Sequence, residues 1–389
     1  MAKLFLKKRI DSRIAHGHPW VFHNEVGELE GNAGAGDVVD VFSSSGSFVG
    51  RGYYNPASKI CLRFLSRHQD SIDAAFFHKQ ILTAWEQRQH LGYAENCRLI
   101  AAEADGLPGL IVDKYGDYLV LQIHTLGMEQ WRDDLVSSLQ EIFAPKGIYE
   151  RSDVPVREKE GLPLKTGFLS PPFDTNITIF EHGTKFAVDI AKGPRTGFYL
   201  EHSKNRQLVG QLGKGLDVLD LFCYCGAFGI QALQNGARSV CFVDYDEQAI
   251  GLARHNAAAN GWSGSSNFEL KNAFEWLKQA AKDNKRYDLI VLDPPAFVSG
   301  RGSVDNAMVA YKEVNLRALK LLRPGGYLFT TANAHQISWE LFRSLMLDAA
   351  KDAKRSLKQI GFGGGSPDFP VIWSLPNTDY MKYLMLQVL

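Results

Sequence analysis

Apolar positions along this chain fall into three textures. Up to about residue 67 they come as short runs separated by turn formers. Val38, Val39, Val41 and Phe42 follow Gly36-Asp37, a turn is predicted at 43–46, and Phe48-Val49-Gly50 resumes the run. Asn55-Pro56 then breaks the chain before another run at 60–65. Short strands with Gly-rich turns predict a small barrel or sandwich. From about residue 71 the pattern is helical over 74–91. Strands follow at 110–112 and 118–123 around a turn at 114–117, and a second helix is predicted over 128–142. Pro171-Pro172 and Asp174-Thr175-Asn176 mark a boundary near residue 180.

Beyond that boundary the pattern alternates. Strands are predicted at 218–222, 239–244, 268–270, 289–293 and 327–332, with helices at 227–234, 247–259, 274–282, 305–322 and 339–353. Strands separated by helices of this length imply βαβ units and a mostly parallel sheet. The expected organisation is therefore α/β, with a β-rich domain at 1–70, an α+β middle domain at 71–180 and a Rossmann-like domain at 181–389. Ligands on such sheets bind beyond the carboxyl ends of the strands.

Composition changes the picture in a few places. With 389 residues, 45% hydrophobic and 22% charged, the chain reads as globular rather than disordered or collagen-like. Lys plus Arg equals Asp plus Glu at 43 each, so attraction to a polyanion must come from a local patch. No apolar run reaches the length of a membrane span, and the basic N-terminus is followed by no apolar signal region. The five cysteines show neither disulfide nor zinc spacing, so the expected setting is a reducing cytoplasm with no metal.

The ends of the predicted strands carry the chemistry. Asp220-Leu221-Phe222-Cys223-Tyr224-Cys225-Gly226 runs into a tight turn, and Gly226 lets the backbone approach a ligand at a helix start. This is not the dinucleotide fingerprint, whose early glycine is missing, so a nicotinamide enzyme is disfavoured. The loop fits S-adenosylmethionine better. Asp220 suits its ammonium, and Asp244, at the end of the next strand, suits two ribose hydroxyls. Asp293-Pro294-Pro295-Ala296-Phe297 follows the fourth strand. The prolines hold the tip rigid, Asp293 can accept a hydrogen bond from a base, and Phe297 can stack on a flat ring. Arg301, between Gly300 and Gly302, is a candidate phosphate contact.

These segments resemble a known family, the three-part ribosomal RNA large subunit methyltransferases that join a PUA domain, a middle domain and a Rossmann-like class I methyltransferase. The resemblance rests on Gly17-His18-Pro19-Trp20-Val21-Phe22, Gly50-Arg51-Gly52-Tyr53-Tyr54-Asn55-Pro56, Ala104-Asp105-Gly106-Leu107-Pro108-Gly109-Leu110, Tyr149-Glu150-Arg151-Ser152-Asp153, Thr196-Gly197-Phe198-Tyr199-Leu200, the Asp220 loop, residues 293–297 and Tyr311-Lys312-Glu313-Val314-Asn315. It implies S-adenosylmethionine as methyl donor, Phe198 and Tyr199 near it, and RNA as substrate, either 23S ribosomal RNA or an assembly intermediate. A homodimer stays open.

Four positions, in three places, depart from the family. Its 5-methylcytosine enzymes place a nucleophilic Cys just after the fifth strand, where this chain has Asn333 in Thr331-Ala332-Asn333-Ala334-His335. Carbon 5 of cytosine needs a thiolate on carbon 6, which an amide cannot supply. Base nitrogens attack a methyl group directly once oriented. Nitrogen methylation is therefore expected, with Asp293, Asn333 and Phe297 at the reaction centre. Glu201-His202 stands where the family usually has Asp-Gln. Asn272 replaces an Asp after the third strand, and its carbonyl oxygen can still bond the adenine amino group.

Residues 1–67 hold nine basic and six acidic side chains, with five of the nine basic ones before residue 14. Read alone, this is a solvated face. With the resemblance, Lys7, Lys8, Arg9 and Arg13, beside an exposed His18 and Trp20, become the expected RNA contacts, together with Arg301. Competing readings are a small-molecule or protein methyltransferase, a 5-methylcytosine enzyme with an unrecognised nucleophile, and a non-catalytic cofactor-binding assembly factor.

Overall fold

The computed structural model describes residues 1–8, 11–297 and 304–389. The chain forms two compact units. One comprises Met1–Ile177, Val188–Leu200 and Pro367–Pro376, and the other Thr178–Ala187, Glu201–Ser366 and Asn377–Leu389.

The first unit holds two sheets. Its six-stranded sheet runs in the order Trp20–Val21, Leu62–Ser66, Phe48–Tyr54, Val38–Phe42, Lys3–Leu6, Val26–Glu30. Alternation along the strands turns Leu4, Leu6, Val39 and Val41 inward onto Val21 and Leu62. The five-stranded sheet runs Lys165–Phe168, Gly147–Ser152, Tyr118–Ile123, Leu110–Tyr115, Asn96–Ala101. Helices Ala74–His90 and Arg132–Phe143 contribute Phe77, Ile81, Leu135 and Leu139 to its core.

Buried polar groups join the small sheet to the rest of this unit. Glu160, 2% exposed, accepts from Ser58 Oγ at 2.6 Å, Arg63 Nη2 at 2.9 Å and Asn55 Nδ2 at 3.1 Å. A carboxylate removed from water needs such donors, and losing Arg63 would strand it at a cost of about 3–5 kcal/mol. Trp20 and His18 are half-buried rather than exposed. The reason for Trp20 is its indole N–H, which donates to Glu103 Oε1 at 2.8 Å.

The second unit is built on a seven-stranded sheet in the order Ser266–Leu270, Ser239–Asp244, Asp217–Leu221, Tyr287–Leu292, Leu322–Asn333, Met381–Val388, Leu357–Gly363. The first five strands are parallel, and Met381–Val388 is antiparallel to both of its neighbours. Apolar runs buried on both faces explain the parallel part, for example Leu289, Ile290, Val291 and Leu292, all 0% exposed. Connections from Asp217–Leu221 and Tyr287–Leu292 lead away in opposite directions along the sheet, and the carboxyl ends beside such a reversal are where sheets of this kind bind ligands.

Candidate active site

At the end of Asp217–Leu221 the chain enters a tight loop in which Phe222 (φ 60°) and Tyr224 (φ 46°) are left-handed. Each costs about 1–3 kcal/mol and persists only where its surroundings hold it. Here Asp244 does so: its Oδ2 accepts from Tyr224 N–H at 2.9 Å and its Oδ1 from Asp246 N–H at 3.1 Å. Gly226 (φ 76°) opens the helix Ala227–Gln234. A Cβ on Gly229 would lie 2.4 Å from the Phe242 ring, so glycine there lets the helix rest on the sheet.

Asp220 is 1% exposed, and its Oδ2 accepts from Gly229 N–H at 2.9 Å. Burial pushes its carboxyl well above the usual carboxylate range, and the negative charges of Asp293 and Asp244 push it further. Three carboxyl groups thus share one strand-end rim. A cationic ligand relieves that repulsion, and the ammonium and sulfonium of S-adenosylmethionine match it.

Asp293 is the hub of a second cluster, made of side chains. Its Oδ1 accepts from the Thr331 hydroxyl and from Asn333 Nδ2, the latter at 2.9 Å. Its Oδ2 lies 3.2 Å from His202 Nε2, with His202 2% exposed and Asp293 19%. Asn205 Nδ2 lies 3.2 Å from His202 Nδ1. An amide N–H can only donate there, so the imidazole hydrogen sits on Nε2 and is given to Asp293. His202 immediately precedes the helix Ser203–Leu212, which is anchored by a buried bidentate pair of Arg206 with Glu181 at 2.6 and 2.7 Å. Asn333 Oδ1 is buried and has no hydrogen-bond partner among the described residues. A buried amide oxygen left unpaired is an acceptor awaiting a donor.

Phe297 sits among Phe222, Phe274 and Tyr311, with ring centroids at 6.3, 5.9 and 4.9 Å. Asn272 is exposed, and its carbonyl oxygen caps the helix Ala273–Lys282 by accepting from Phe274 N–H at 2.9 Å. All five cysteines are free and buried. Burial pushes the Cys61 and Cys225 thiols up to about 12 and raises those of Cys97, Cys223 and Cys241 as well.

The second unit therefore brings together Asp220, Gly226, Asp244, Asp293, Phe297 and Asn333. Phe198 and Tyr199 belong to the first unit, where Phe198 N–H donates to the Tyr115 hydroxyl at 3.2 Å. Lys7 and Lys8 are exposed, while Arg13 pairs with Glu25 and His18. Arg9 and Arg301 lie outside the described residues. His202 and Thr331 went unpredicted as site residues. The Glu201-His202 departure was the one available signal for His202. Among the described residues no group of His, Cys, Asp and Glu could hold a metal ion, and no helix is long and apolar enough to cross a membrane.

Residues 4–67 match the model of a PUA-like domain, and residues 166–380 match that of the S-adenosylmethionine-dependent methyltransferases. Fold and site thus define an S-adenosylmethionine-dependent methyltransferase that carries a PUA-like domain. Ribosomal RNA large subunit methyltransferase I of Alteromonas mediterranea is 38% identical over 392 residues, covering 100% of this chain and 99% of that protein. Its counterpart in Shewanella denitrificans is 39% identical, covering 99% of each. The chain belongs to their family. The crystal structure of a methyltransferase complexed with SAH has the same fold, with a TM-score of 0.84 at 21% identity over 100% of both chains.

Proposed function

We propose that this enzyme methylates a base of large subunit ribosomal RNA, 23S RNA or an assembly intermediate, and that the acceptor atom is a nitrogen. Both curated relatives are named as ribosomal RNA large subunit methyltransferases, and a PUA-like domain precedes the catalytic one. The single observation that carries the nitrogen reading is Asn333. Asp293 fixes its Nδ2, and its Oδ1 remains as a buried acceptor. It stands where the carbon-methylating relatives of the resemblance carry a thiol.

Asp220, Gly226 and Asp244 would hold the cofactor, with Phe198, Tyr199 and Asn272 as further candidates and Asp293 at the end nearest the acceptor. When bound, S-adenosylmethionine supplies an electrophilic methyl group. The chain's own task is orientation: Asn333 Oδ1 accepts from an N–H of the base, Asp293 holds Asn333, and Phe297 offers a ring to its face. A ring or exocyclic nitrogen needs no covalent partner, and a proton it loses on accepting the methyl group would pass to solvent. Lys7, Lys8, Arg9, Arg13, His18, Trp20 and Arg301 are the proposed RNA contacts, positioning the substrate through phosphate and stacking.

Mass spectrometry of ribosomal RNA nucleosides from cells with and without this protein tests the reading. Loss of one nitrogen-methylated nucleoside is expected, and loss of 5-methylcytidine would overturn the nitrogen assignment. A covalent adduct with RNA containing 5-fluorocytosine would do the same.

A further inference from the structure

The segment Pro367–Pro376 belongs to the first unit, although in sequence it lies between Leu357–Gly363 and Met381–Val388, two strands of the second. It is anchored at both ends. Arg98 N–H donates to Asp368 Oδ2 at 2.8 Å, and the Arg98 guanidinium lies 4.2 Å from the Phe369 ring centroid. At the other end Ser374 Oγ donates to the Gly17 carbonyl at 3.0 Å. Between these anchors Trp373 is 96% exposed and Val371 46%. Scattered exposed apolar residues are ordinary, but an indole held wholly in water on a doubly anchored segment is a presented surface.

Its surroundings are cationic. Gly17 follows the exposed His16 and precedes His18. Arg13 Nη1 lies 2.6 Å from His18 Nδ1, and Arg67 Nη2 donates to the His18 carbonyl at 2.8 Å. Two acids lie close by, Glu25 paired with Arg13 and Glu103 accepting from the Trp20 indole, whose ring packs on His18. A free aromatic face on a segment joined through Ser374 to a turn that carries two guanidinium groups is a combination suited to an unpaired nucleotide, because every base has a π-face to stack and every residue of the strand brings a phosphate.

We propose that Trp373 is a stacking platform for an unpaired RNA base beside the Gly17 turn, so that this C-terminal segment extends the RNA surface of the PUA-like domain. This rests on the reading of RNA as substrate.

The test is fluorescence anisotropy of the full chain with a labelled mixed-sequence single-stranded RNA, and with the same strand in a duplex. Trp373→Ala and Trp373→Leu should weaken single-strand binding by roughly 5- to 150-fold. Trp373→Phe should keep most of it, and the melting temperature should not move because the side chain stands in water. Unchanged single-strand affinity in Trp373→Ala, with a wild type that binds, overturns the stacking assignment alone. A wild type that binds neither RNA overturns it together with the RNA reading. A dimer that dissociates in Trp373→Ala by light scattering, with RNA affinity unchanged, gives this face to a second copy of the chain and overturns the proposal as well.

Discussion

The two halves of the strand-end rim are built from different materials. Asp220 and Asp244 are held by backbone N–H groups, of Gly229 in one case and of Tyr224 and Asp246 in the other. Asp293 is held by side chains, of Thr331, Asn333 and His202. Main-chain donors are present whatever residue supplies them, so the first half is fixed by the path of the backbone. The second half can be rewritten one side chain at a time. The proposed exchange of a thiol for Asn333 would be a change of that kind: it would leave the sheet intact and alter the chemistry the sheet presents.

The comparison breaks most visibly at Asp293. Asp293→Ala removes the group that orients Asn333, and single-turnover transfer of labelled methyl should fall by roughly 10²–10³-fold or more, with cofactor affinity reduced far less. On the other half, Asp244→Ala should weaken S-adenosylmethionine by roughly 1–3 kcal/mol in calorimetry, and it should also cost stability because it frees two backbone donors of a left-handed loop. Equal affinity would remove Asp244 from the cofactor site. His202→Gln keeps a donor near Asp293 and should lower kcat by about 10-fold, one hydrogen bond's worth, with KM for the cofactor unchanged. His202→Ala should lower kcat further; a matching rise in cofactor KM would show that the imidazole merely supports the fold.

Away from the rim, replacing Lys7, Lys8 and Arg9 together should reduce the salt dependence of RNA binding, with a log–log slope smaller by ~2. Cofactor affinity should stay the same. An unaltered slope would return this cluster to a solvated face. The smallest effect on chemistry is expected from replacing all five cysteines with Ala or Ser. Transfer should remain measurable once melting temperatures show how much protein is folded, since Cys223 and Cys225 lie in the loop of the first half without bonding its carboxyl groups and the other three thiols lie outside both halves. Abolished transfer in a folded five-fold variant would restore the thiolate mechanism.

Much of the catalytic sheet was legible because its strands are continuous apolar runs ended by acids, as at Leu289 to Asp293, and because βαβ spacing carries topology with it. The helices 227–234 and 247–259 coincide with Ala227–Gln234 and Glu247–Ala259. Leu357–Gly363 was not legible, since Gly361 and Gly363 interrupt its pattern and its pairing partner lies beyond a long connection. His202 escaped for a different reason. Its meaning comes from Asp293, a contact that only the folded sheet creates. At Asn272 the structure adds a role that the strand-end position did not signal: its side-chain carbonyl oxygen caps a helix. The departure of Pro367–Pro376 into the first unit has no local signature, because Asp368 and Ser374 are anchored by main-chain groups far away in sequence.

That departure is one of five passages the chain makes from one unit to the other, at 177/178, 187/188, 200/201, 366/367 and 376/377. No single cut can release either unit whole. A fragment ending at residue 177 would lack Thr196, whose hydroxyl donates to the buried Asp113 at 2.6 Å and lies 2.7 Å from the Tyr115 hydroxyl. It would also lack the Ile190 carbonyl that accepts from Arg151 at 3.2 Å. Each buried polar group so orphaned costs about 1–3 kcal/mol. The unit that carries the PUA-like domain is therefore not a detachable module to be trimmed off by a protease or exchanged by gene fusion. It is woven through the catalytic sequence, and the two must be inherited, expressed and degraded together.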